Sequence, residues 1–233
     1  MKSAKTIART AGLLYLMIIL IGIFCLRYVP STLIVPGDAS ATIHNISSKE
    51  LLFRLGIVVG LIGYTLFLFL PLVLYKLLRP VNEPYAKLMV ILAVVSVPIS
   101  FVNMLNNFAV LSIVDGPDYL KAFDNGQLQA QVLFYLDQYD HGNLIAEIFW
   151  GLWLFPFGYL VFKSGFLPKF LGILLMAGCV GYLIDFLGHS LTPGYDESGI
   201  SRFMILPAGL GEIGICLWLL IGGVKNKFTA ARS

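Results

Sequence analysis

Charge is scarce in this chain. Only 12% of its 233 residues are Asp, Glu, Lys or Arg, against roughly 25% in a soluble domain. So few charged side chains cannot cover a water-facing surface, and 58% of the residues are hydrophobic, which places the chain among integral membrane proteins. No basic tract with interleaved aromatics occurs, so nucleic acid finds nothing to bind and membrane lipid is the expected partner. The three cysteines, Cys25, Cys179 and Cys216, all fall inside apolar runs. They read as small buried apolar residues rather than a disulfide framework or a cysteine zinc site. A Gly-rich phosphate loop, a G-x-S-x-G turn and a haem-attachment motif are also missing, so no motif names a reaction.

Long hydrophobic runs are what the chain does contain. A membrane span needs about 20 apolar residues, and six windows meet that length. The expected fold is all-α, a single domain of six transmembrane helices over about 10–28, 49–78, 85–114, 136–163, 169–189 and 201–224. Arg27 and Pro30 are expected to close the first helix, with a polar loop from Pro30 to Ser48 after it. Ser47 or Ser48 should cap the second helix. Lys2, Lys5 and Arg9 before an apolar run resemble a signal peptide. The small-residue triplet Ala39-Ser40-Ala41 lies too far beyond that run for cleavage, so an uncleaved first helix is expected.

The distribution of basic residues sets an expected orientation. Lys2, Lys5, Arg9, Lys76, Arg79, Lys87, Lys163, Lys169, Lys225, Lys227 and Arg232 lie at one side, whereas Arg27, Lys49, Arg54, Lys121 and Arg202 lie at the other. The richer side is the cytoplasmic one, which puts both termini inside.

Polar residues interrupt the apolar windows at one depth. An ionisable group in hydrocarbon costs about 2.5–3.5 kcal/mol on insertion scales, so such groups face a protein interior and suggest a function. Asn103, Asn106 and Asn107 fall in the outer half of the third helix. Asp140, His141 and Glu147 fall in the outer half of the fourth, within the stretch Tyr135 to Lys163. Asp185 and His189 occupy the last turns of the fifth, and Glu212 lies near the middle of the sixth. Ser96, Ser100, Asn103 and Asn107 share one helix face. Gly178, Gly181, Asp185 and Gly188 form a stripe of small and polar residues suited to close helix packing.

Each residue also has a structural reading. The three asparagines serve as interhelical hydrogen-bond partners or as ligand contacts. Arg54 snorkels to phosphates or neutralises an interior carboxylate. Asp137 and Asp140 mark a solvated helix start or belong to the interior. Trp150, Trp153, Tyr159 and Phe162 are packing or interface aromatics. Glu147, Asp185 and Glu212 lie deepest and need a cation, a proton or a metal as partner. Candidate catalytic residues are thus Glu147, Asp185, His189 and His141. Candidate ligand contacts are Glu212, Asn103, Asn107, Arg54 and Asp140. Asp185 and His189 stand four apart on one face, a geometry that lets two side chains reach one metal. Together with His141 they offer a site for zinc or another divalent ion. A carboxylate–histidine pair for proton transfer or a structural hydrogen bond is the preferred alternative.

Several runs carry a resemblance. ARTAGLLYLMIILIGIF (Ala8 to Phe24), the Glu50–Arg54 start of the second helix, AEIFWGLWLFPFGYLVFKSGFLPKFLGILL (Ala146 to Leu175), Gly181 to Ile184 and Glu212 with Trp218 to Leu220 resemble the DUF4386 family of bacterial membrane proteins. The resemblance implies six helices and an inner-membrane setting, and brings no catalytic residue with it. A fainter similarity exists to intramembrane zinc hydrolases of the ceramidase and progestin-receptor type, which hold metal with His and Asp on helices but have seven helices and another histidine arrangement. Three functions fit these features. The first is a cavity that binds or acts on a membrane-soluble lipid or isoprenoid-like ligand. The second is a small proton-coupled transporter, and the third a structural or partner-binding protein.

Overall fold

The computed structural model describes residues 4–224. Lys2, Lys225, Lys227 and Arg232 of the charge count therefore lie outside the described residues. Among the described residues every regular element is helical. The long helices are α1 (Ala4–Leu33), α3 (Glu50–Leu78), α4 (Glu83–Asp115), α5 (Asn125–Lys163), α6 (Lys169–Leu191) and α7 (Ile200–Gly222), each long and apolar enough to cross a membrane. A shorter α2 spans Ala39–Ser48.

These helices alternate in direction and close into a ring in chain order. α1 packs on α3, α3 on α4, α4 on α5, α5 on α6, α6 on α7, and α7 returns to α1. The distal end of the ring is where α1, α4 and α6 finish. Outward faces carry apolar side chains such as Leu20, Val102, Ile173 and Ile221, as lipid contact requires. The centre of the proximal half holds an aromatic cluster on Trp153, which is 1% exposed. Its ring stacks on Phe157 at 5.2 Å and meets Phe67 edge-on at 5.3 Å. Trp153 is thus a packing residue rather than an interface one.

Small residues set the closest approaches. A Cβ at Gly178 would stand 2.6 Å from Ala208 Cα, and one at Gly181 would collide with the Met204 carbonyl oxygen. The stripe on α6 therefore lies against α7 backbone to backbone.

Several boundaries differ from the expected ones. α1 does not end at Pro30 but runs to Leu33. The segment Phe24–Tyr28 is π-helical, with the Val29 N–H donating to the Phe24 carbonyl. Proline ends a helix by withholding an N–H and crowding the preceding turn. Here a widened turn immediately before Pro30 lets the helix continue. The expected loop up to Ser48 contains α2, whose first turn is capped by Asp38 accepting from the Ala41 N–H at 2.8 Å. Ser48 does not cap α3, because its hydroxyl donates back to the His44 carbonyl. α5 begins at Asn125, about three turns before residue 136, through a capping box between Asp124 and Gln127. Asp137 and Asp140 therefore sit within the helix, not at its start. The 39 residues of α5 extend about 58 Å, well over the roughly 30 Å of a bilayer core. Its first turns and α2 form a distal cap.

Gly181→Leu should weaken α6–α7 packing by about 1–3 kcal/mol, the usual range for overpacking. Gly209→Leu is its control, since nothing lies within 4 Å of a Cβ there. Unfolding in detergent reads both, and equal stability of the two variants would contradict this packing.

Candidate functional site

The ring is incompletely filled at its distal end. A cavity of about 620 Å³ lies between α1, α5, α6 and α7. Its wall includes Asp140, His141, Asn143 and Glu147 from α5, Asp185 and His189 from α6, and Arg27 from α1. Five residues expected at a site thus share one cavity, although they come from two helices and from positions up to 49 apart (189 − 140).

Asp185 is the most enclosed member, at 2% exposure. Its Oδ2 stands 3.5 Å from His189 Nδ1. Its Oδ1 is buried without a hydrogen-bond partner. A buried carboxylate oxygen in that condition is costly, because its lost hydration is not replaced. His189 Nδ1 also lies 2.9 Å from the Asp185 main-chain carbonyl. A carbonyl only accepts, so this contact places a proton on Nδ1 and leaves the lone pair of a neutral ring on Nε2. Glu147 lines the same cavity as Asp185, His189 and Arg27. The wall therefore mixes inner carboxylates with imidazoles and an arginine, groups that can hold a charged ligand and exchange protons with it.

A second cavity, of about 210 Å³, adjoins the first through Leu26, Trp150 and Tyr182, which line both. Its remaining wall is mostly apolar, from Ile18, Ile19, Gly60, Phe67 and Trp153. Glu212 lies here and not with Asp185, which corrects the expected trio. Its partner is neutral: the Tyr15 hydroxyl donates to Glu212 Oε1 at 2.7 Å, joining α1 to α7. A third space, of about 460 Å³, lies between α1 and α7 at the distal end. It shares Arg27, Ser201 and Ile205 with the first cavity and adds Arg202.

Other expected ligand contacts are engaged elsewhere. Asn103 donates to the Tyr139 carbonyl at 2.8 Å and to Asn143 Oδ1 at 3.1 Å, and accepts from Asn106 at 3.0 Å. It joins α4 to α5, and the absent side chain of Gly142 makes room for it. Asn107 contacts Met104 Sδ at 3.3 Å and reaches only a small hollow of about 40 Å³ that Asp140 also lines. Arg54 pairs with Glu50 and, at 2.9 Å and 3.1 Å, with both carboxylate oxygens of Asp115. It ties α3 to the end of α4 and does not reach an interior carboxylate. Among the described residues no three His, Cys, Asp or Glu side chains gather as a metal centre would require. The set His141, Asp185 and His189 therefore does not assemble as metal ligands.

Arg27, Tyr15 and Tyr182 are the site residues that sequence reasoning passed over. Arg27 and Asp185 each stand six residues before the distal end of α1 and α6, which run the same way, and Arg27 could have been found by that count. The tyrosines carry no such signal inside their apolar runs.

Comparison with known proteins identifies a family. A family model described as a domain of unknown function (DUF4386) matches residues 10–223. A protein of Archaeoglobus fulgidus, described as an uncharacterized protein, is 38% identical over 81 residues, 33% of this chain and 43% of the relative. The chain thus aligns with less than half the length of that relative. No solved structure matches.

Tyr15→Phe removes the donor that Glu212 has among the described residues and should cost about 1–3 kcal/mol, as loss of an interior carboxyl's partner does. Arg54→Gln breaks half-exposed ion pairs and should cost less than about 1 kcal/mol. Denaturant titration of the two variants checks the order, and a larger loss for Arg54→Gln would refute it.

Proposed function

The chain belongs to the DUF4386 family, and we propose that it is a plasma-membrane protein that binds an amphiphilic, membrane-soluble ligand of lipid or isoprenoid type. The ligand's polar head lies among Glu147, Asp185, His141 and His189, and its apolar part lies along the adjoining cavity toward Glu212. The observation that carries this reading is the buried Asp185 carboxylate, with one oxygen unpartnered, in a residue on the wall of a 620 Å³ cavity that adjoins an apolar one. A site built only for stability would satisfy that oxygen with a neighbour. The neighbouring space between α1 and α7, which shares Arg27, Ser201 and Ile205 with the cavity, is the entry route this reading assigns to a ligand.

A structural role is the second reading, favoured by the bonds of Asn103 and of Tyr15 with Glu212, which do hold helices together. Of their residues Asn143 also lines the cavity around Asp185, whereas Asn103, Tyr15 and Glu212 are not on that wall. The same basic-residue bias that orients short loops supports both termini in the cytoplasm.

Two measurements test the proposal. Native mass spectrometry of protein extracted in mild detergent should show a retained amphiphile, and Glu147→Gln with Asp185→Asn should lower its occupancy about tenfold or more while the protein stays folded. If the double variant instead loses stability with occupancy unchanged, the structural reading prevails. Reporter domains fused near Ala4 and near Val224 should both report the cytoplasmic side; a split result would overturn the orientation.

A further inference from the structure

Aromatic rings crowd the apolar cavity. Six of its fifteen lining residues are aromatic, against 13% of the chain. They are Tyr15, Tyr64, Phe67, Trp150, Trp153 and Tyr182, brought together from α1, α3, α5 and α6. Tyr15 and Trp153 are almost fully covered, whereas Tyr64, Trp150 and Tyr182 are half-buried and offer ring surface. One acid, Glu212 of α7, shares this wall, and no lysine, arginine or histidine does among the described residues. Tyr15 donates to Glu212 Oε1. The other oxygen, Oε2, takes no hydrogen bond among the described residues and, unlike Asp185 Oδ1, is not sealed off. An interior carboxylate needs a cation or a proton as its partner. Aromatic faces also attract cations, most strongly where water is excluded.

We infer that this cavity holds a tertiary or quaternary ammonium group, paired with Glu212 and enclosed by the rings. The inference goes beyond the reading above, because it stands on the inner cavity alone; where the proposed ligand reaches this cavity, its inner end is the ammonium. A primary ammonium brings three N–H donors, and acceptors on this wall are few. The Cys25 thiol is engaged with the Gly56 carbonyl, and the Tyr15 hydroxyl with Glu212. An alkylated nitrogen has at most one N–H, which Oε2 can accept, and its carbon-covered surface suits aromatic faces. Size agrees. An apolar cavity of about 150 Å³ admits benzene, so one of about 210 Å³ admits a trimethylammonium group with a few carbons attached. The adjoining polar cavity also draws a cation inward, since its wall carries Asp140, Glu147 and Asp185 against Arg27, with His141 and His189 beside them.

Titration of the full chain in maltoside detergent, washed free of retained lipid, tests the inference with two probes of one shape. They are benzyltrimethylammonium and its neutral carbon isostere, neopentylbenzene. Tryptophan fluorescence reads binding, because two of the three tryptophans line this cavity. The cation should bind about tenfold or more tightly than the isostere. Glu212→Gln, whose amide oxygen can still accept from Tyr15, should remove most of that preference. Trp150→Leu should weaken the cation about threefold or more, and Trp150→Phe should restore part of the loss. Equal binding of the two probes overturns the ammonium assignment, as does binding of neither, and a full preference in Glu212→Gln overturns the pairing. Native mass spectrometry of the unwashed protein separates this inference from the wider reading. A retained amphiphile without an amine or ammonium nitrogen overturns the inference and leaves ligand binding standing. No retained amphiphile, with the cation still preferred, sustains the ammonium site and overturns the wider reading instead.

Discussion

A carboxylate buried among apolar helices is the constraint from which the rest of the distal half follows. Asp185 cannot face hydrocarbon, so α6 must turn that face inward. The glycines on the same stripe then determine what it meets. Gly178 and Gly181 bring α6 onto α7 at backbone distance, which leaves no room for a second polar layer between those two helices. Asp185, one turn further along, lines a cavity together with Glu147 and His141 of α5 and Ser201 and Ile205 of α7.

The two halves of the bundle solve different packing problems. In the proximal half the interior is filled by aromatic rings on Trp153, with Tyr15, Phe67 and Phe157 around it. These rings pack against one another, and Tyr15, Phe67 and Trp153 form one wall of the apolar cavity. In the distal half a second apolar core with Phe53, Met104, Val132 and Leu136 fills the side formed by α3, α4 and α5, and the open space lies on the other side, between α1, α5, α6 and α7. Pro156 marks the transition. It withholds an N–H from the Leu152 carbonyl, and the helical run of α5 is interrupted between Leu152 and Leu154. The apolar cavity lies beside this interruption, and Glu212 sits in it with its carboxyl held by Tyr15 across the ring.

The hydrogen bonds in this protein sort by purpose. Asn103 spends both its donors and its acceptor on neighbours in α4 and α5. The Arg54–Asp115 pair closes the distal end of the ring between α3 and α4. These groups are satisfied and hold helices in place. Asp185 has one oxygen buried and unsatisfied, in a residue that lines an open space. That difference, rather than the mere presence of charge in an apolar chain, separates the site from its scaffold.

Hydropathy alone determined the class, the six spans and the depth at which the polar residues fall. Each of these depends on run length and position along the chain, and a membrane imposes one thickness on every span. Helix periodicity also identified the inner faces of α4 and α6. Weak local signals were legible in principle but outweighed by stronger ones: Asp38 before a short polar stretch and the Asp124–Gln127 capping box both announce helices where Ser, Thr, Gly and Pro suggested loops. Tertiary structure alone decided which inner faces meet. Glu212 faces Tyr15 rather than Asp185, Arg54 faces Asp115 rather than an interior acid, and Arg27 joins the cavity through a π-turn ahead of Pro30. A helix's pattern specifies which side turns inward, while its rotation and its neighbour are settled only when the ring closes, by contacts between residues as far apart as Tyr15 and Glu212.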